Sequence, residues 1–289
     1  MIECKELNQS FETKEELFKA LKANKDIIFS IKKKIQTGYD VLDPSESKQV
    51  ISNSQAIIKK ALTDVNKDLF KDDDYYYIVV NSTNVLDSHG DLHVKGIWNK
   101  SAKERTGKNF LVDTHQLTIK STIAYPDDVE IFVCELPFKA IGYNYKGDCE
   151  VLVYKVRKDK IIGEDIAKAM REGKPIQASV KMQYVKLDLA LNSDDEEDKN
   201  EKKSFDNYKD QIANISDFKD EPLYFFVIKE AKNVHESSLV PFGSNHATRV
   251  LQNKHIESLD STQKETDKAV ESQLDTLEAK DKLSIYSFN

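Results

Sequence analysis

Apolar residues recur at helical spacing in two runs near the start of the chain. The first, Lys14 to Lys34, carries Leu17, Leu21, Ile27, Ile28 and Ile31; the second, Ser47 to Val65, carries Val50, Ile51, Ile57, Ile58, Ala61 and Leu62. The TGYDVLDPSES between them reads as a loop, so residues 1–71 are expected to form a helical N-terminal arm packed on the body of the protein. At DDDYYYIVVNST the pattern changes to strand, with consecutive aromatic and β-branched residues. A turn at His89 and Gly90, a helix starting near Trp98 and the short strand NFLVDTHQ come next. Further strands are predicted over Lys120–Tyr125, Glu130–Pro137 and Glu150–Val156, separated by turns at Pro126-Asp127-Asp128 and Gly147-Asp148.

The segment GEDIAKAMREGKPIQASVKMQY marks the sharpest change of period. Ile166, Ala169 and Met170 lie on one helical face, Gly173 closes the helix and Pro175 prevents it from continuing. From there the period is two: Ile176, Ala178, Val180 and Met182 fall on one side, Gln177, Ser179, Lys181 and Gln183 on the other. Ser179 is therefore expected on the polar face of a half-buried strand. That suits a rigidly held nucleophile, and it equally suits any solvent-facing serine.

After Val185 the stretch SDDEEDKNEKKSFDNYKDQ is dense in both charge signs and poor in aliphatics, which predicts a solvated, mobile insertion over about residues 188–220. Order resumes with YFFVI, a strand buried on both faces, and with VHESSLV, a further strand ended by Pro241 and Gly243. On the second of these Glu236 and Ser238 share one face, His235 and Ser237 the other. From about Gln252 only Ile256, Leu259, Val270, Leu274 and Leu277 interrupt a polar, acidic run, so residues 252–289 are expected to be a flexible tail. The body is thus placed at residues 72–251, in the α+β class with mainly antiparallel strands and flanking helices.

Composition narrows the function. Of the 289 residues 39% are hydrophobic and 32% charged, with only 9 Gly and 6 Pro, which fits a globular protein and excludes a collagen or a repeat array. No apolar run approaches a membrane span, and MIECKELNQSFETKEEL lacks the apolar core of a signal peptide, so a cytoplasmic chain with no membrane partner is expected. Cys4, Cys134 and Cys149 are odd in number and without metal-ligand spacing, which predicts no disulfide framework. A net charge of -7 argues against nucleic acid as a general partner.

Three groups of residues carry candidate chemistry. His89, Asp91 and His93 alternate and would suit zinc on one strand face, but Gly90 predicts a turn within that spacing and no second cluster supplies another ligand, so neither a metal nor another cofactor is assigned. His115 ends an apolar strand on which it shares a face with Asp113; it is the best placed histidine for general-base work, and by itself it also reads as a surface residue. Cys134, inside IFVCELPF, is most simply a core residue.

In order along the chain, DSHGDLHVKGIW, VDTHQ, EDIAKAMREGKPIQASVKMQY and VHESSLVPFGSNHAT form a series that resembles the prohead (head maturation) proteases of tailed bacteriophages, relatives in fold of the herpesvirus assemblins. The resemblance covers about Tyr75 to Val250. It implies a barrel-like β core and a serine endopeptidase in which Ser179 is nucleophile, His115 general base and Glu236 the group that orients the imidazole, with His235 and Asp113 as alternatives for that third role. It also implies the setting: a protease inside the assembling prohead in the host cytoplasm, cleaving the major capsid protein, scaffold and itself, with a homo-oligomer left open. The alternative reading is a capsid-assembly or scaffolding protein that keeps this fold without activity.

Overall fold

The structure, a computed structural model, describes residues 1–37, 70 and 72–251. The second helical run (Ser47–Val65) and the acidic tail lie outside the described residues.

The chain opens with a hairpin of β1 (Ile2–Cys4) and β2 (Gln9–Phe11). Helix α1 (Lys14–Ala23) comes next, its first turn capped by the Thr13 hydroxyl, which accepts from the Glu16 amide. Asn24 ends α1 with its side chain on the Ala20 carbonyl and, with non-helical φ -106 and ψ 10, also starts α2 (Lys25–Lys32). The expected single run from Lys14 to Lys34 is therefore two helices. Strand β3 (Ile35–Thr37) follows and pairs with the core sheet at Lys181–Gln183.

The body carries β4 (Tyr75–Ser82), β5 (Asp91–His93), α3 (Asn99–Arg105), β6 (Phe110–Asp113), β7 (Thr122–Ala124), β8 (Val129–Pro137), β9 (Asp148–Arg157), α4 (Glu164–Arg171), β10 (Gln177–Leu191), α5 (Lys199–Tyr208), β11 (Tyr224–Val240) and β12 (Arg249–Leu251). A four-stranded sheet has the order β12-β4-β9-β8; a six-stranded sheet has the order β3-β10-β11-β6-β7, with β5 also paired to β11. All pairings are antiparallel except those of β11 with β5 and β6. The class is α+β, as expected. No pairing among the described residues joins the two sheets into a closed barrel, and the strands at the ends of the six-stranded sheet, β3 and β7, are three residues long, too short to bridge.

The sheets instead share a core. Ile78, Val80, Leu152, Tyr154 and Val156 from the four-stranded sheet pack with Ala178, Val180, Met182, Tyr184, Phe226 and Ile228 from the six-stranded one. The opposite face of β4 and β9, with Tyr77, Val79, Val151 and Val153, is covered by Phe138, Ile141 and Tyr143. Burial on both faces explains why β4 reads as a continuous apolar run.

Two expectations fail here, for physical reasons. YFFVI and VHESSLV are one 17-residue strand, because Ala231 and Asn233 between them are buried and keep the ladder with β10 intact. The charged insertion is ordered: β10 runs on to Leu191, and α5 buries Phe205 against Phe225 beside Ile212 and Leu92. Its acids meet lysines of the arm, Lys22 with Asp198, Lys25 with Glu201 at 2.6 Å and Lys14 with Asp194 at 3.7 Å. Part of the charge that reads as solvation along the sequence is thus matched by partners that lie far away along the chain.

A chain of buried hydrogen bonds anchors α2 to the sheet. Trp98 Nε1 donates to Asn81 Oδ1, Asn81 Nδ2 lies 3.0 Å from His93 Nδ1, His93 Nε2 lies 3.0 Å from the Tyr184 hydroxyl, and that hydroxyl donates to Asp91 Oδ2. Lys32 closes the chain on Asp91 Oδ1 at 2.6 Å. Burial holds the His93 imidazole down at about 4, below its usual 6.5. Asp87 sits beside this chain, its Oδ1 accepting from the His89 and Asp91 amides around the turn at Gly90 while Oδ2 is buried without a hydrogen-bond partner. Burial, and then the Asp91 charge, push the Asp87 carboxyl up from 3.8 to about 7.

These two groups pull stability in opposite directions. His93 has a lowered folded value, so its contribution is present above about 6.5 and is lost as pH falls towards 4; Asp87 has a raised one, so its contribution is present below about 3.8 and is lost as pH rises towards 7. Asp87→Asn keeps the Oδ1 acceptor and is neutral throughout. Urea unfolding should show the variant improving relative to wild type between pH of about 4 and 7; a stability difference independent of pH would disprove the assignment. For the charged segment, Phe205→Ala should destabilise the protein by about 3–5 kcal/mol, as for a core phenylalanine. A solvated insertion would give a change within about 0.5 kcal/mol.

Candidate functional site

Three residues distant in sequence meet where β6, β10 and β11 run side by side. In the β10–β11 ladder Ser179 is opposite Ser238 and Val180 opposite Ser237, and the next pair is Met182 with Asn233. Val234, His235 and Glu236 stand against the single residue Lys181 and form a bulge, and His235 adopts φ 66 within it. Beyond the bulge β11 pairs in parallel with β6, from Glu236 opposite Phe110 to Leu239 opposite Asp113. The bulge is fixed from behind: Asn233 Nδ2 donates to Ser237 Oγ at 2.9 Å, the Asn233 amide donates to Ser101 Oγ at 2.8 Å, and Tyr154 and Asn109 both donate to Asn233 Oδ1.

At the end of β6 the backbone turns through two left-handed residues, Thr114 with φ 46 and His115 with φ 57. Such a conformation costs a non-glycine residue about 1–3 kcal/mol and is unusual for a β-branched threonine. The turn carries the imidazole to Ser179. His115 Nε2 lies 2.9 Å from Ser179 Oγ, and His115 Nδ1 lies 3.0 and 3.1 Å from the two Glu236 carboxylate oxygens. A carboxylate can only accept, so Nδ1 carries the proton and Nε2 is left to accept from the serine hydroxyl. The order is hydroxyl, imidazole, carboxylate: the geometry in which a base can take the hydroxyl proton while an anion stabilises the resulting imidazolium.

Burial separates the roles. The Glu236 side chain is fully buried and that of His115 is 6% exposed. Ser179 itself is only 4% exposed, so the expected surface serine is nearly enclosed. The enclosure comes from the loop after β11: Gln177 Oε1 accepts from the Gly243 amide at 2.8 Å, the Ala178 amide donates to Thr248 Oγ1 at 3.0 Å, and a Cβ on Gly243 would stand 3.0 Å from the Ala178 carbonyl oxygen. That approach to a backbone oxygen disfavours a side chain at position 243.

The alternatives for the third residue do not meet the imidazole. His235 is exposed on the bulge, on the opposite side of the strand from Glu236. Asp113 lies in the next-but-one position to His115, but both ring nitrogens are engaged by Glu236 and Ser179. The zinc-like spacing of His89, Asp91 and His93 resolves into different duties, since Asp91 holds Lys32 and Tyr184, and His93 holds Asn81 and Tyr184. No group of three or more His, Cys, Asp or Glu is placed to hold a metal ion among the described residues. Cys134 is half-buried with its thiol pushed up to about 12 by burial, which makes it a poor nucleophile.

The strand alternation puts Ser238 on the Glu236 face and assigns it no part in the chemistry. In the structure its hydroxyl accepts the His115 backbone amide at 2.9 Å. Asn233 and Ser237 escape sequence reasoning as well, because a bulge closed by a side-chain bond leaves no periodic signal.

No helix among the described residues is long and apolar enough to cross a membrane. No protein-family model, no curated protein and no solved structure matches this chain.

Proposed function

We propose that this chain is a serine endopeptidase. The observation that carries the reading is the continuous hydrogen-bonded line from Ser179 through His115 to the buried Glu236. A polar core residue needs one satisfied partner; here an acceptor nitrogen faces a hydroxyl while the other nitrogen is committed to an anion, an arrangement that serves proton removal. In the reaction, Ser179 Oγ attacks the scissile carbonyl carbon as its proton passes to His115 Nε2. The same proton then goes to the leaving amine, and water repeats the sequence to release the acyl group. Glu236 holds the ring and stabilises its charge.

The likeness of the four motifs to prohead proteases supplies the rest of the proposal: a two-sheet core standing for their barrel-like fold, capsid protein and scaffold as substrates, action inside the assembling prohead, and self-cleavage. The alternative, a capsid-assembly protein without activity, shares the fold and differs only in chemistry. The test is therefore chemical. Wild-type protein should react with a fluorophosphonate at Ser179 and cleave co-expressed capsid protein. Ser179→Ala and His115→Ala should each lower turnover by about 10⁶-fold, Glu236→Gln by about 10⁴-fold, and the double Ser179→Ala/His115→Ala should be no worse than either alone. Cleavage retained by Ser179→Ala, or additive losses in the double variant, would remove the reading.

A further inference from the structure

We propose that Ser238 is a positioning residue, holding the backbone turn that aims His115 at Ser179; this rests on the peptidase reading. Ser238 is fully buried and directly opposite Ser179 in the ladder. Its lone pairs accept the His115 amide at 2.9 Å, and its single proton faces the Val112 and Leu239 carbonyls, each at 3.1 Å. Leu239 O also accepts the Thr114 amide at 3.1 Å. Both amides of the left-handed pair Thr114-His115 are thus bound to two consecutive residues of β11, and the hydroxyl is the one side chain among these contacts. Glycine, which adopts this conformation without strain, is absent from both positions, so the turn depends on outside bonds.

The geometry makes Ser238 specific to the base. The regular parallel ladder ends with Leu239 opposite Asp113, so no sheet pairing holds His115. Without the hydroxyl, the His115 amide loses this acceptor, and the turn has reason to relax towards right-handed backbone, which carries the ring away from both of its partners. A base displaced by even about 1 Å costs on the order of a hundredfold in rate.

The test uses the full chain and a fluorophosphonate as probe, with two readouts. Ser238→Ala should lower the maximal labelling rate of Ser179 about a hundredfold while leaving the half-saturating probe concentration unchanged. It should also abolish the low-field proton NMR resonance of the His115–Glu236 hydrogen bond. Ser238→Thr, which keeps the hydroxyl, should restore both. Ser193→Ala, which removes a remote buried serine bonded to Asp198, should change neither. If Ser238→Ala does not fold, Ser238→Cys replaces it, since a thiol accepts weakly and should slow labelling. Wild-type labelling and an intact resonance in the folded Ala or Cys variant would overturn the positioning role and leave the peptidase reading standing. Labelling that survives Ser179→Ala would overturn the peptidase reading, and the resonance alone would then decide whether Ser238 sets the ring.

Discussion

The register between β10 and β11 is the constraint on which the rest of the molecule depends. A strand alternates its faces residue by residue, so a slip of one position along this ladder would put Ser179 and Glu236 on opposite faces of the sheet. Several independent devices hold it. The bulge at Val234–Glu236 is closed by Asn233 and Ser237, β6 adds a parallel partner on the far edge, and the long pairing from Met182 to Leu191 packs one face into the shared core. Apart from Asn109 Oδ1, which is buried without a hydrogen-bond partner, the polar side chains beneath the bulge are bonded to one another and fix its geometry.

How much of this is legible in the sequence depends on whether a feature is written in one stretch of chain. The period of two through Gln177–Gln183, the helix stop at Gly173 and the sharing of a face by Glu236 and Ser238 are local, and the structure keeps them. The three residues named for chemistry, Ser179, His115 and Glu236, do meet. Features that depend on distant partners are the ones that escape. The charged stretch at about residues 188–220 reads as solvated because charge suggests water, yet three of its acids, Asp194, Asp198 and Glu201, meet lysines of α1 and α2, and Phe205 is fully buried. Ser179 reads as exposed because the alternation gives a face, not what covers it, and the covering loop lies some 65 residues downstream. The left-handed turn at Thr114-His115 gives no warning either, since neither residue is glycine or asparagine; such backbone is imposed by bonds from elsewhere.

Backbone strain at this turn coincides with burial of the ring it carries, and that coincidence gives the site its rigidity. The cost of the two left-handed residues is offset by amide bonds to β11, and the ring they carry is locked at both nitrogens. The loop that closes over Gln177 and Ala178 adds a second restraint, close enough that a side chain at Gly243 would crowd the Ala178 carbonyl. Preorganisation of this kind reduces the reordering needed when charge develops on a ring.

The lysines of the N-terminal arm are not equivalent, and their order has a meaning for how the arm is held. Lys14 meets Asp194 in open solvent, Lys22 and Lys25 meet acids that are themselves largely covered, and Lys32 meets a carboxylate with no exposure at all. Dissolved ions screen the first kind of pair strongly and the last hardly at all. The arm is therefore fastened like a zip whose outer teeth respond to the ionic surroundings and whose inner tooth does not. Rising salt would weaken the Lys14 pair first and the Lys32 pair least, while Leu17, Phe18 and Leu21 of α1 stay buried in the core beside the sheet that carries Ser179.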